Sequence, residues 1–467
     1  MSALEQNIPK GFQHTELGIL PQEWQVLTID EALSFKMILD QMDGNHGELY
    51  PKSHEFKDDG IPYVGATDFY SGKIDYKHCK RLPLKRAKLF KKGVAKNGDV
   101  LFAHNATVGP SSLVETHEDF IIISTTATYY RCNGEEIKNT YLLNFFRSKL
   151  FESQYSSVMS QSTRNQVPIL AQRKFYLALP HIKEQTAIAN ALSDVDALLA
   201  ELEKLIAKKQ AIKTATMQQL LTGKTRLPQF ATYAEGEKKG QPKGTKSSEL
   251  GDIPEDWEIV KFGSIVNYIK GYPFKSAEYT DSGIRVVRVS DTSFTSIRNE
   301  KPIFVSENSR RKYKKWSLEK GNIIFTTVGS KPPMYDSLVG KAILVESNHE
   351  GFLLNQNAVL IKPKLAAENI SNLLVSHFRT ERYIDHIEQI YRGNANQASI
   401  TLDGLFEFEI PLPTQPKEQT AIATILSDMD NEIQTLEQRL AKTRQIKQGM
   451  MQELLTGRTR LPFKKES

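Results

Sequence analysis

Between residues 183 and 228 apolar side chains return in alternating steps of four and three, at Ile188, Leu192, Val195, Leu199, Leu202 and Ile206. That is the a/d spacing of a helix with one buried seam. Between 417 and 462 the pattern returns with Ile422, Leu426, Met429, Ile433, Leu436 and Leu440. The two stretches are identical at about 27 of about 46 aligned positions, which marks an internal repeat. In both the seam is then interrupted. Lys209 and Thr443 fall on the next d position, and apolar residues resume off register at Ile212 and Ile446, in the manner of a stutter. Leu-Thr-Gly closes each stretch, with Gly223 and Gly457 suited to the left-handed position past a helix end. About 40 helical residues make a rod of roughly 60 Å. Two rods with near-identical seams pack most simply on each other. The expectation is an antiparallel coiled coil about a pseudo-twofold axis, with a globular half at each end.

Elsewhere the pattern shortens to β-branched and aromatic runs broken by Gly, Asn and Asp. The first half offers GIPYVGATDFYSGKIDY, GDVLFAHN and FIIISTTATYYRC; the second offers GIRVVRVSDTSFTSI, GNIIFTTVGS, GKAILVE and GFLLNQNAVLIKP. Each half then turns helical, at YLLNFFRSKLFESQYSSVM and NISNLLVSHFRTERYIDHIEQI. A polar loop follows, QSTRNQVP or YRGNANQAS, and a last apolar strand, FYLALP or FEFEIPLP, leads into the rod. Upstream, Glu16, Leu17, Gly18, Pro21 and Trp24 match Glu249, Leu250, Gly251, Pro254 and Trp257, so the duplication covers whole halves. The fold class expected is α+β, made twice. The boundaries are 1–182 for the first domain, 183–228 for its rod, 248–416 for the second domain and 417–467 for the second rod and tail. Between them, 229–247 is Gly-, Lys- and Glu-rich and reads as a flexible linker.

Length and charge fit this picture without deciding it. The 467 residues suffice for several domains, and a net charge of +6 permits a nucleic-acid partner. Basic residues bunch at Lys85, Arg86, Lys88, Lys91 and Lys92, and again at Arg310, Arg311, Lys312, Lys314 and Lys315; either bunch can equally be a solvated loop. Cys79 and Cys132 lack metal or redox spacing and read as reduced thiols. With no apolar h-region at the start and no run long enough to span a membrane, a cytoplasmic protein is expected.

Catalytic chemistry finds little purchase. LTGKT and LTGRT resemble the end of a phosphate-binding loop, but Gln218 stands where its first glycine belongs. No GxGxxG follows a strand, and the ten histidines include no HExxH, so no metal site is expected. Lys331-Pro332-Pro333-Met334-Tyr335 is similar to the Asn-Pro-Pro-Tyr that holds adenine in N6-methyltransferases, yet it lacks the Asn and reads as a turn.

A binder remains. Strand-end loops carry residues that pair with base edges and phosphates, Arg with guanine and Asn or Gln with adenine. In the first half these are Thr67, Asp68 and Tyr70; His104, Asn105 and Thr107; and Ser162, Thr163, Arg164, Asn165 and Gln166. In the second they are Arg288, Ser290, Asp291 and Thr292; Ser330 and Lys331; and Arg392, Asn394, Asn396 and Gln397. An alternative of another class is a coiled-coil scaffold that presents two ligand-binding domains to protein partners without DNA.

Taken together, these motifs resemble the specificity subunit of a type I restriction-modification system, over essentially the whole length. They are the LGxIPxxW segments at Leu17–Trp24, where Leu20 stands for the Ile, and at Leu250–Trp257, the GI-x-x-V-x-x-x-D strands at Gly60–Asp68 and Gly283–Asp291, the P-x-x-K-E-Q-x-x-I-A join at Pro180–Ala189, and the L-L-T-G-[KR]-T-R-L-P ends. The second join carries one extra residue. The first polar loop, QSTRNQVP, lacks the glycine that opens the family's loop, which Gly393 keeps, and FAHNATVGP is shorter than its counterpart. The resemblance implies a non-catalytic subunit with two target recognition domains, each reading half of a split site in double-stranded DNA. It implies helices that set the spacer and dock two methyltransferase subunits, and two motor-nuclease subunits besides. S-adenosylmethionine, ATP and magnesium would belong to those partners, with no cofactor in this chain.

Overall fold

The protein is described here by a computed structural model, covering residues 8–44, 47–70, 72–161, 165–394 and 397–462. They form two compact units, Met1–Glu203 with Gln438–Ser467, and Lys204–Glu437. The division falls inside both long helices, Ile182–Leu220 and Pro416–Leu454. Each unit therefore holds one globular half, the N-terminal part of one long helix and the C-terminal part of the other.

In the first unit the strand Gln25–Thr28 pairs antiparallel with Tyr176–Leu179, the strand that delivers the chain into its long helix. The Thr28 side chain caps the following short helix, and Glu31 reaches back to the Thr28 amide, so two orphan donors are satisfied at once. Two four-stranded sheets follow. One runs Ile38–Asp43, Ala127–Cys132, Val100–Asn105, Thr107–Leu113, all antiparallel. The other runs Lys80–Leu82, Ile61–Val64, Ile121–Ile123, Val94–Ala95 and contains one parallel pair. FIIISTTATYYRC is thus two strands in two sheets. The Ser124 and Thr126 hydroxyls, 2.7 Å apart, fold the chain between them. Helices Asn139–Phe146 and Lys149–Ser160 bring Phe146 and Phe151 against Phe102 and Tyr130 of the first sheet, with Phe145 packed on Phe151. Each of these rings is essentially fully buried and contributes about 1.5–3 kcal/mol.

The second unit repeats the order. Trp257–Lys261 pairs with Glu409–Pro413. One sheet runs Val266–Lys270, Ala358–Pro363, Ile323–Thr326, Ala342–Leu344. The other runs Tyr279–Thr280, Ile303–Val305, Ile284–Val287, Leu353–Leu354, again with one parallel pair. GFLLNQNAVLIKP splits between the sheets as its counterpart does. The connecting segment 229–247 meets this unit through Lys243, 2.8 Å from Asp256, through Tyr233, which donates to Glu255, and through Thr245–Lys246, paired with Ile253–Pro254.

The long helices pair antiparallel within each unit. In the first, Glu184 meets Arg460, Asp196 meets Lys447 at 2.5 Å, and Glu203 meets Arg444 at 2.7 Å. In the second, Lys209 meets Glu432 at 2.6 Å, Lys213 meets Asp430, and Arg226 meets Glu418 at 2.7 Å. As numbers rise on one helix they fall on the other. Ile188, Leu192, Leu202, Ile206, Ile422, Leu426 and Ile433 are buried along the seam. Val195, Leu199, Met429, Leu436 and Leu440 are half-buried.

The interruption is not a stutter, which corrects the sequence reading. Ile212 and Ile446 are 42% and 48% exposed, whereas Lys213 and Thr443 are 9% and 7% exposed. The heptad runs on unshifted, with Lys209, Lys213 and Lys447 in place of apolar residues where an acidic side chain of the other helix meets each, and with Thr443 donating to the Arg439 carbonyl of its own helix. Burial pulls the Lys213 ammonium below its ordinary pKa, and Asp430 opposes that shift. Such a pair adds little net stability compared with an apolar contact, but it makes one register preferable to its neighbours.

The helix ends dock on the Pro and Trp repeated in both halves. Gly223, at φ +71°, lies where a Cβ would stand 2.4 Å from Pro254 and 3.4 Å from Trp257; Gly457, at φ +65°, meets Pro21 at 2.4 Å and Trp24 at 3.1 Å. Glycine is required twice over, for the left-handed turn and for the close approach.

Candidate nucleic-acid interface

In each unit the three candidate loops come together. In the first, the turn Ala66–Phe69 packs beside the strand Thr107–Leu113. Arg147 ties the two together, donating to the Gly72 carbonyl at 2.7 Å and to the Ser111 carbonyl at 2.9 Å. That strand shares a hairpin with Val100–Asn105, which turns on Ala106. The third loop joins there: Asn105 bridges Gln166, the Ala106 amide donates to the Asn165 carbonyl, and the Val167 amide donates to the His104 carbonyl.

In the second unit Val328–Gly329 pairs with Gln397–Ser399, which pairs with Arg392–Asn394. Ser330 and Lys331 thus leave the sheet beside the hairpin that carries Arg392 and Gln397. The loop 291–298 closes the group. Arg298 pairs with Asp336 at 2.8 Å, and the Phe294 and Tyr335 rings lie 5.7 Å apart. Lys341, buried with its pKa pushed down to about 8, donates to the Thr292 and Asp336 carbonyls at 2.8 and 2.6 Å.

The side chains fall into two groups. Several are held by their own loops. Asp68 accepts from the Gly65 amide, and burial raises its carboxyl pKa against that bond. Asp291 does the same for the Arg288 amide and also grips the Arg288 guanidinium, whose pKa that bond raises. The recurring Asp of the GI-x-x-V-x-x-x-D motif is therefore a turn residue. Thr292 donates to the Val289 carbonyl, buried His104 bonds Thr128, and buried Ser330 accepts from Ser337. The others face outward. Thr67, Tyr70, Asn165, Ser290, Lys331 and Arg392 are exposed, and Asn105, Thr107 and Gln166 are half-exposed. Ser162, Thr163, Arg164 and Asn396 lie outside the described residues, as do the side chains of Asn394 and Gln397.

Sequence reasoning took Met334 and Tyr335 for part of a turn and passed over Phe294, because apolar residues in a loop carry no periodicity. It also passed over the interhelical pairs. Their signal was present: Glu184, Asp196, Lys447 and Arg460 have identical residues at Glu418, Asp430, Lys213 and Arg226. Among the described residues no cluster of His, Cys, Asp and Glu could hold a metal ion, and no helix is long and apolar enough to cross a membrane.

Comparison with known proteins agrees with this architecture. The family model described as the type I restriction modification DNA specificity domain matches twice, over residues 21–214 and 254–445. The MjaVIII type I restriction enzyme specificity subunit of Methanocaldococcus jannaschii is 27% identical, over 73% of this chain and 75% of its own. The putative MjaX specificity subunit of the same organism is 24% identical over 97% of each chain. Among solved structures, the S subunit of a type I restriction-modification system from M. genitalium shares the fold at a TM-score of 0.54 and 13% identity, covering 96% of this chain and 98% of that one.

Proposed function

The chain belongs to the type I restriction-modification DNA specificity family, as a specificity subunit, and from that premise we propose that each unit reads one half of a bipartite site in double-stranded DNA. The observation that carries this reading is the convergence, in both units, of three loops that differ between the two copies, on a frame whose contacts are duplicated. Exposed basic and amide side chains there would make the phosphate and base contacts: Arg392 and Lys331 in the second unit, Asn165 and Gln166 with Tyr70 in the first. The paired helices fix the number of unread base pairs between the half-sites. They also dock two methyltransferase subunits, which carry S-adenosylmethionine and modify adenine at N6. Two motor-nuclease subunits complete the assembly and use ATP and magnesium. The chain itself supplies the address and no chemistry.

The test is the ruler. Insertion of four residues near Ala200, about one helical turn, is expected to lengthen the tolerated spacer or to abolish recognition, as read by methylome sequencing of a host carrying the variant. An unchanged target would remove the ruler, and equal affinity of the assembled complex for all duplexes would refute the DNA-reading role. Binding of the assembled complex to its site is also expected to weaken steeply as salt rises.

A further inference from the structure

We propose that the loop 331–337 of the second unit is an apolar wedge, which presses Pro333, Met334 and Tyr335 against the bases of the half-site this unit reads and opens one base step. The inference rests on the DNA-reading role and deepens it. Three observations carry it.

The first is exposure. Met334 and Tyr335 are 50% and 47% exposed, and Pro333 is exposed beside them. A purely connecting turn gains nothing from placing three apolar side chains together in water. The second is bracing. The Ser337 hydroxyl donates to Ser330 at 2.9 Å, Lys341 holds the Asp336 carbonyl, Arg298 holds the Asp336 carboxylate, and the Phe294 ring supports Tyr335 edge to face. The loop's ordering cost is thus met before any partner arrives. The third is position. The loop leaves the sheet at Ser330, beside the hairpin bearing Arg392, and its first residue, Lys331, is exposed. Cations at its root and an apolar tip match a groove lined by phosphates and floored by bases.

Met and Pro are among the side chains that proteins insert between base steps, and the unstacking is offset by the extra surface brought into contact. The cost is lowest at pyrimidine–purine steps. The second half-site should therefore contain such a step even where no polar side chain contacts it. The first unit makes the same strand-to-strand turn at Ala106, with no such tip.

The test is selection from a randomised duplex library by the full-length chain copurified with its methyltransferase partner. Wild type is expected to select a bipartite consensus with a pyrimidine–purine step in one half. The double variant Met334→Ala, Tyr335→Ala should lose that step and bind about tenfold more weakly or worse, with the other half of the consensus unchanged. Tyr335→Phe should behave as wild type. Met334→Glu, a change at one half-exposed side chain, should act like the double variant and guards against a folding defect in the latter. An unaltered consensus and affinity in both variants would overturn the wedge, as would loss of the methyltransferase with sequence preference retained. Selection of no sequence by wild type would instead overturn the DNA-reading role itself.

Discussion

In the first unit the strand Val100–Asn105 returns as Thr107–Leu113 after the single residue Ala106. In the second, Ile323–Thr326 reaches its partner Ala342–Leu344 only after the loop that carries Met334 and Tyr335. The frames beneath these loops are nearly interchangeable. Arg226 with Glu418 has its counterpart in Arg460 with Glu184, Lys213 with Asp430 in Lys447 with Asp196, and Gly223 on Pro254 and Trp257 in Gly457 on Pro21 and Trp24. Contacts that fix geometry have been kept in both copies while the loops diverged.

The comparison can be broken most directly at the arginine pairs. Glu418 and Glu184 are both 1% exposed in their side chains, but Arg226 is 10% exposed and Arg460 is 35% exposed. Burial lowers the Arg226 pKa while Glu418 and Asp256 more than restore it, and Glu184 raises that of Arg460. Arg226→Met is expected to cost about 3–5 kcal/mol by leaving a buried carboxylate uncompensated. Arg460→Met should cost less, because Arg460 itself lies nearer solvent and its removal opens Glu184 to water. Denaturant midpoints of the two variants measure the difference, and equal losses would remove the distinction. The glycines come next. Gly223→Ala and Gly457→Ala should each cost about 2–4 kcal/mol, from left-handed strain and from the clash with proline. Here the two copies should agree, since the approach to proline is 2.4 Å in both.

A smaller effect separates the units by pH. His377 is fully buried, and burial, aided by Arg382, lowers its pKa to about 3. Phe145 occupies the corresponding place in the first unit. A histidine whose folded pKa is depressed binds its proton preferentially in the unfolded state. Stability is therefore full above its ordinary pKa of 6.5 and is lost as pH falls toward 3. The second unit should lose roughly 2 kcal/mol between pH 6.5 and 4.5, followed by hydrogen exchange. His377→Phe should flatten that slope, and an unchanged slope would assign it elsewhere.

The sequence by itself determined the duplication, the α+β order of each half, the two long helices and the glycines that end them. These follow from periodicity and local backbone preference, which act over a few residues and leave a trace in a linear string. It also singled out the recurring Asp68 and Asp291, though as contact residues. Only tertiary structure shows that each carboxylate caps its own turn. It likewise decided the meaning of Lys209 and Lys213. A lysine on a seam reads as a break until the acid opposite is known, and Asp430 lies 217 residues from Lys213. The meeting of the three loops was equally out of reach, because pairings such as Gly329 with Ala398 depend on chain closure over a whole domain. Local chemistry writes the elements into the chain; long-range pairing of charges and strands decides what those elements present.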